Sequence, residues 1–298
     1  MRRLVFVLLF VLAFPLLGAE RTFKASDGTT LHYTISGKGE TIVFLSGGPG
    51  FSGDYLQPVA DRFSSKYTTV VLDQRGTGKS KLATYDATTL TTALEVADLE
   101  MLRKELKLEK LTLAGHSWGG ILSMLYASAH PDRVRALMLI SSGGPTLTFV
   151  DPSNKNLAAR TTEEDKAKVL EWTFKAAEQP KKAMLEITRA RTPSYFADRA
   201  KAKHLMDSLT EDSFELRVFQ PLMNDLTKTG YDLREPLKKL QAPVLILHGR
   251  QDPIVTVDDV KAAIPSAKVV WLENAGHFPW EEQPDAFFKA MESFLGTR

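Results

Sequence analysis

The stretch LTLAGHSWGG, residues 111–120, joins a short apolar run to the start of a helical pattern. It contains the G-x-S-x-G arrangement, which raises a serine onto a strained turn between a strand and a helix. Gly115 and Gly119 let the backbone pass close to itself there, because neither residue carries a Cβ atom. The N-terminus of the new helix also favours negative charge near the serine oxygen. Ser117 is therefore a candidate nucleophile, and the rest of the chain must supply its partners.

Short apolar runs bounded by turn residues flank this stretch. They do not alternate with polar residues, as expected for parallel strands buried on both faces, and they span residues 41–45, 69–72, 111–114, 135–140, 244–247 and 269–272. Residues 22–25 and 30–36 do alternate, which predicts an antiparallel hairpin at the sheet edge. Helical patterns lie between the runs, clearest at residues 284–295 and at residues 92–106, where one face carries Leu94, Ala97, Met101 and Leu102. This order predicts an α/β fold with a mostly parallel central sheet and helices on both faces.

The strand signal disappears between about residues 145 and 234, where charged helical patterns replace it. In residues 162–179, one side of the helical pattern carries Ala167, Leu170, Phe174 and Ala177. Because this segment falls between two predicted core strands, we interpret it as an inserted helical cap rather than an independent domain. The predicted organisation is one domain, residues 20–298, with the cap at about 145–234.

The N-terminus reads MRRLVFVLLFVLAFPLLGAE, with two arginines, an apolar stretch and a small-residue site at Gly18-Ala19. This pattern is typical of a signal peptide, here residues 1–19. The apolar stretch is shorter than the roughly 20 residues that cross a bilayer, and Pro15 interrupts its end. We therefore expect a secreted or periplasmic protein with no stable membrane anchor after cleavage near Ala19.

Composition narrows the partners of the mature protein. The chain has 298 residues, of which 43% are hydrophobic, enough to fill one large core. Its 38 basic and 36 acidic residues give a formal net charge of +2, which does not indicate a nucleic-acid surface. There is no cysteine, so disulfides and thiolate metal sites are excluded. We expect small-molecule or short-peptide substrates.

A serine hydroxyl needs a neighbouring base, which is itself held by a third group. In α/β-hydrolases the chain order is serine, acid, histidine, each beyond the carboxyl end of a strand. Asp252 follows the run at 244–247 and His277 follows the run at 269–272, so both fit. Asp258 and Asp259 are alternative acids in a helical pattern. The remaining histidines are interpreted as structural, with His116 shaping the turn; they are His32, His116, His130, His204 and His248.

An oxyanion on the substrate needs preset hydrogen-bond donors. The N–H of Trp118, directly after the nucleophile, is one candidate. The loop Ser46-Gly47-Gly48-Pro49-Gly50 follows the first core strand and offers the second, the N–H of Gly48, since Pro49 has none.

A second glycine-rich segment, Gly76-Thr77-Gly78-Lys79-Ser80, ends like a phosphate-binding P-loop. The full pattern needs glycine where Asp73 stands, and no helix start is evident at Ser80. Nucleotide binding is therefore not predicted, and Asp73 and Arg75 are expected to hold loops near the site.

These residues together resemble the α/β-hydrolase superfamily over nearly the whole mature chain. Within it, the segments at 47–50, 73–80 and 117–120 resemble the proline iminopeptidase branch, whose members remove N-terminal residues. Family members usually carry histidine before Gly-Gly-Pro-Gly, where this chain has Ser46. The resemblance also implies cap carboxylates that pair with the substrate amine; the candidates are Glu163, Glu164, Glu171, Glu178, Glu186, Glu211 and Glu215.

The sequence thus predicts a secreted serine hydrolase that needs no cofactor. In it, His277 deprotonates Ser117, Asp252 orients His277, and the amides of Trp118 and Gly48 bind the oxyanion. The first substrate hypothesis is the N-terminal residue of a short peptide, and the second is a carboxylic ester. A non-catalytic ligand-binding protein of the same fold is a third. Serine rather than aspartate at position 117 argues against haloalkane dehalogenase and epoxide hydrolase chemistry.

Overall fold

The computed structural model describes residues 18–297. The predicted signal peptide lies almost entirely outside these residues, and the first strand begins at its predicted cleavage position, Ala19. Within the described part of the chain, no helix has the length and apolar character needed to cross a membrane.

Eight strands form one sheet with the spatial order β1-β2-β4-β3-β5-β6-β7-β8. β1 and β2 pair antiparallel, β2 pairs antiparallel with β4, and the six strands from β3 to β8 are parallel. The strands are β1 Ala19–Lys24, β2 Thr30–Gly37, β3 Thr41–Leu45, β4 Thr68–Leu72, β5 Leu111–His116, β6 Val134–Ile140, β7 Val244–Gly249 and β8 Lys268–Leu272. The predicted edge hairpin and mostly parallel sheet are confirmed.

Residues 18–297 contain twelve α-helices. They are α1 Gln57–Phe63, α2 Thr92–Glu105, α3 Trp118–Ala129, α4 Val150–Arg160, α5 Glu163–Lys175, α6 Pro180–Arg191, α7 Ala202–Ser208, α8 Leu216–Thr229, α9 Arg234–Leu237, α10 Val257–Ala263, α11 Pro279–Glu282 and α12 Pro284–Gly296. Helices α4 to α9 all lie between β6 and β7 in the chain, and we call them the β6–β7 helices.

Two hydrophobic clusters explain why the strand runs contain no polar alternation. In β3, Val43 and Leu45 belong to one cluster, while Ile42 and Phe44 belong to the other. The first cluster includes residues of α2, α3, α8 and α10, and the second includes residues of α1, α7 and α12. Both faces of the sheet are therefore covered, so both sets of side chains must be apolar.

Helix α5 differs from its predicted orientation. The predicted apolar face is exposed, with Leu170 at 57% and Phe174 at 78% of full exposure. The more buried side instead carries Asp165, Val169 and Trp172. Asp165 closes a capping box with Thr162 and accepts two hydrogen bonds from Arg199, and these polar contacts hold that side of the helix against the protein.

Helix α2 buries charged residues that the hydrophobic pattern did not indicate. Its buried residues include Glu95 and Asp98 beside Leu99 and Leu102. Asp98 accepts hydrogen bonds from Arg75 at 2.7 and 2.6 Å, and that guanidinium is fully buried. A charged pair thus sits inside the protein, with excellent bidentate geometry.

Candidate active site

Ser117 stands between the last residue of β5 and the first residue of α3. Its backbone φ of 54° and ψ of −112° lie outside the backbone conformations that residues other than glycine usually adopt. A Cβ atom on Gly115 would strike the backbone of Gly119, and one on Gly119 would strike Leu45. Strand, helix and neighbouring strand therefore approach closely here, and the strained turn presents the serine as a nucleophile elbow does.

His277 and Asp252 are brought together beyond the carboxyl ends of β8 and β7. Nδ1 of His277 lies 3.0 Å from Oδ2 and 3.1 Å from Oδ1 of Asp252. The N–H of Ile254 donates to Oδ1 at 2.8 Å. Burial alone would raise the pKa of Asp252, but the imidazoles of His277 and His248 lower it below its usual value. The carboxylate is thus oriented to accept the Nδ1 proton of His277.

Asp252, rather than the alternative acids, contacts the imidazole. Asp258 and Asp259 are exposed in the first turn of α10. The sequence interpretation of His248 as structural did not identify its contact with Asp252. Nε2 of His248 lies 3.3 Å from Oδ2 of Asp252 and donates to the carbonyl of Ile254 at 2.8 Å. Its position at the end of β7, four residues before Asp252, is the signal that could have found it.

Three other histidines make contacts away from these groups. His32, on β2, faces Asp73 at 3.2 Å. His204, on α7, faces Glu281 at 2.8 Å. The ring of His130, at the end of α3, packs 5.1 Å from that of Tyr126. These contacts agree with the structural interpretation of the three residues.

The loop after β3 passes directly beside the serine. A Cβ atom on Gly47 would lie 3.1 Å from Cβ of Ser117. Gly48 has a φ of 117°, a backbone conformation that glycine adopts far more readily than other residues. Among residues 18–297, the N–H groups of Gly48 and Trp118 have no hydrogen-bond acceptor. For Trp118 this follows from its place as the first residue of α3, where backbone amides have no partner within the helix.

The β6–β7 helices and their connections hold all three loops of the site. One contact reaches the loop of Asp252, one the loop of His277, and one the loop of Gly48. They are Arg160 Nη1 to the carbonyl of Gln251 (2.6 Å), the N–H of His277 to the carbonyl of Tyr195 (2.8 Å), and the N–H of Glu215 to the carbonyl of Gly50 (2.9 Å). The β6–β7 helices and their connections therefore position the three loops together with the sheet.

Asp73 and the segment that resembles a P-loop serve to hold loops together, as expected. Asp73 accepts hydrogen bonds from the N–H groups of Gly53 at 2.9 Å and Lys79 at 2.8 Å. The ammonium of Lys79 pairs with Glu20, and the next α-helix begins only at Thr92. The segment thus lacks both the free lysine and the helix N-terminus with which a P-loop binds phosphate.

Most of the candidate cap carboxylates already have a cation beside them. Five of the seven form such pairs: Glu163 with Lys166, Glu164 with Lys168, Glu171 with Lys175, Glu186 with Arg189, and Glu215 with Arg217. Glu215 is attached to the Gly50 loop, and its hydrogen bonds from Arg217 lower its pKa. Glu215 is therefore the candidate whose backbone contacts the loop of Gly48, but its charge is matched within the protein.

The Ser117 hydroxyl makes no hydrogen bond to another group in the described range, 18–297. Hydrogen bonds to a nucleophile are often long or poorly aligned until substrate binds. The same range contains no group of three or more His, Cys, Asp or Glu side chains suited to a metal ion.

A mostly parallel sheet that presents a strained serine at the end of one strand and a histidine–carboxylate pair beyond two others defines the α/β class of hydrolases. The chain belongs to the α/β-hydrolase fold family, whose model matches residues 40–284.

Sequence relatives narrow the resemblance further. The chain is 26% identical to a proline iminopeptidase of Saccharolobus solfataricus, over 94% of this chain and 93% of that protein. It is 28% identical to a proline iminopeptidase of Lacticaseibacillus rhamnosus, over 86% and 89% of the two chains. The predicted likeness to this branch is confirmed. A similar fold occurs in an esterase from Exiguobacterium antarcticum, with a TM-score of 0.67 and 23% identity over 92% of this chain and 98% of the other.

Proposed function

We propose that this protein is a serine hydrolase that works through an acyl-enzyme. The observation that carries the proposal is the buried Asp252–His277 pair, which follows β7 and β8 at the same edge of the parallel sheet as the strained Ser117 and the two unpaired amides of Gly48 and Trp118. The contact between the rings of His277 and His116, 4.7 Å apart, brings the base next to the residue that precedes the nucleophile.

The arrangement assigns one step to each group. His277 takes the Ser117 proton on Nε2 while its Nδ1–H stays bonded to Asp252, so serine oxygen attacks the substrate carbonyl carbon. The oxyanion accepts hydrogen bonds from Gly48 and Trp118. His277 then gives its proton to the leaving amine or alcohol, and water, activated by the same imidazole, releases the acyl group.

The first substrate candidate is the N-terminal residue of a short peptide. It is supported by the proline iminopeptidases, which match this chain over most of their length. A carboxylic ester is the second candidate, and a specific observation favours it. Five of the seven candidate carboxylates are paired with lysine or arginine, so a substrate amine could bind at any of those five only by displacing the cation.

Two experiments test these assignments. A fluorophosphonate probe should label Ser117, and the label should disappear in His277→Ala although that variant remains folded. Folded wild-type protein that resists labelling would instead support the ligand-binding alternative.

The substrate class is tested with prolyl and alanyl anilides beside short acyl esters, with Ser117→Ala as the background control. Hydrolysis of free-amine anilides, and loss of that hydrolysis when the amine is blocked, supports the aminopeptidase. Activity on blocked anilides or on esters alone would favour the ester hydrolase.

We also propose that the chain is exported and cleaved near Ala19. The charged, apolar and small-residue order of residues 1–19 supports this, and the folded sheet starts at the same residue. Expression of the full chain with a C-terminal tag should release a mature form whose N-terminal sequence begins near residue 20. A form that retains residue 1 would contradict the proposal.

A further inference from the structure

A row of buried hydrogen bonds joins the loop of Gly48 to the loop of His277, and it passes through His116, the residue directly before Ser117. The N–H of Gly47 donates to Oη of Tyr55 at 2.7 Å. Oη of Tyr55 lies 2.7 Å from Nδ1 of His116, and Nε2 of His116 lies 2.9 Å from the carbonyl oxygen of His277. Tyr55 and His116 are 7% and 1% exposed, so water does not replace these bonds. We call Tyr55 and His116 the relay pair.

Only one arrangement of protons satisfies every member of this row. A carbonyl oxygen can only accept, so Nε2 of His116 must carry the proton it donates to His277. A backbone N–H can only donate, so Oη of Tyr55 accepts from Gly47 and donates its own proton to Nδ1 of His116. Burial, with the nearby charge of His277, lowers the pKa of His116 well below its usual value, which agrees with a neutral ring.

Aromatic rings enclose the relay pair. Tyr55 stacks on Trp280, with centroids 6.1 Å apart, and meets the edge of Phe278 at 6.2 Å. His116 meets Trp280 edge-on at 4.9 Å. Because these neighbours offer no replacement acceptor along the row, the loss of one hydrogen bond leaves a buried polar group without a partner.

We propose that Tyr55 and His116 are positioning residues that hold the loop of Gly48, the oxyanion donor, in a fixed position relative to the loop of the catalytic base His277. The inference rests on the serine hydrolase function proposed above. Gly47 is the residue directly before the oxyanion donor Gly48, and a Cβ atom on it would lie 3.1 Å from Oη of Tyr55 and 3.2 Å from Nδ1 of His116. The relay pair therefore sets the position of the Gly48 amide relative to the His277 imidazole, which accepts and releases protons.

The relay is needed most in the transition state, when charge develops on the substrate oxygen. Its loss should lower kcat and leave KM almost unchanged, because a misplaced oxyanion donor weakens transition-state binding more than substrate binding. A lost donor costs about 100- to 1000-fold in rate, and a displaced one should cost less. For Tyr55→Phe we expect kcat to fall about 10- to 100-fold, with KM within about twofold.

The closing experiment compares Tyr55→Phe with Tyr126→Phe as the matched control. Tyr126 is also buried, but its hydroxyl donates to Oε2 of Glu100 at 3.0 Å rather than to a residue of the relay. Rates are divided by the number of sites that a phosphonate titrates, so unfolded protein does not count. We expect the control to keep wild-type kcat.

Two substitutions of His116 test its two hydrogen bonds separately. His116→Gln keeps a donor that can reach the His277 carbonyl, and His116→Asn keeps an acceptor for Tyr55. Each should lower kcat, and adding Tyr55→Phe to either should cost less than the two separate losses combined, because one row is broken in both cases.

The outcomes separate the relay from the function on which it rests. If Tyr55→Phe keeps kcat within twofold of wild type, or the control loses as much, the relay has no positioning role. Wild-type protein that neither reacts with the phosphonate nor cleaves any substrate refutes the proposed function. The relay is then judged by nitrogen NMR of His116, where a proton on Nε2 and none on Nδ1 supports it and the reverse tautomer overturns it.

Discussion

The Asp252→Asn substitution tests the hydrogen bonds around His277 most directly. The N–H of Ile254 holds Oδ1 at 2.8 Å, so the asparagine oxygen should occupy that position and its NH₂ group should replace Oδ2. The NH₂ group would then face Nδ1 of His277 across 3.0 Å. Two donors cannot share one hydrogen bond, so we expect His277 to move its proton from Nδ1 to Nε2.

An imidazole with its proton on Nε2 cannot accept the proton of Ser117. In a serine protease with this triad, the same exchange of aspartate for asparagine lowers kcat about 10⁴-fold. That factor corresponds to about 5 kcal/mol of transition-state stabilisation. Folding should be preserved because asparagine has nearly the same volume, and His248 keeps its hydrogen bond to the carbonyl of Ile254.

The assay is steady-state hydrolysis of the best ester or anilide, with urea unfolding to verify the fold. Asp258→Asn and Asp259→Asn are the controls, since both side chains are exposed on α10 and should leave kcat unchanged. A folded Asp252→Asn protein that retains a tenth or more of wild-type kcat would refute the reasoning and assign orientation of His277 to another group.

Three further changes test the interior. Burial raises the pKa of Glu95 from 4.5 to about 8, so the folded chain holds a proton that the unfolded chain releases. Wild-type stability should therefore fall as the pH rises between these values. Glu95→Gln should lose that fall when unfolding by urea is followed against pH, and an equal dependence on pH in the two proteins would contradict the prediction. Asp98→Ala leaves the buried Arg75 charge without its bidentate partner and should cost about 3–5 kcal/mol in unfolding free energy, against which an unchanged midpoint would count. Gly119→Ala should abolish fluorophosphonate labelling because its Cβ atom would strike the Leu45 carbonyl, and full labelling would show that the elbow tolerates it.

Much of the fold is predictable from local sequence because parallel strands buried on both faces need uninterrupted apolar residues. The run at 41–45 matches β3 in full, and the run at 135–140 misses β6 by one residue. The G-x-S-x-G pattern places Ser117 correctly at the junction of β5 and α3, since only glycines fit where strand and helix cross. Chain order similarly selects Asp252 and His277, which the structure brings within 3.0 Å.

Helix faces were less predictable, because a helical pattern does not reveal which partner the helix meets. The apolar side of α5 carries Leu170 and Phe174 but is exposed, since the contact between Asp165 and Arg199 holds the opposite side inward. In α2 the acidic residue Asp98 is buried because Arg75, 23 residues earlier, reaches it. A single-sequence pattern contains no information on such pairings.

The amino-acid order alone determined the succession of strands and helices, the strained serine turn, and the types of residue that stand beyond the strand ends. These features depend on neighbours in the chain, whose backbone preferences and spacing act locally. Tertiary structure decided which carboxylate meets His277, and it decided that Tyr55 and His116 connect two distant loops. Such contacts join residues as much as 161 positions apart, and they exist only because the parallel sheet brings its strand ends to one edge.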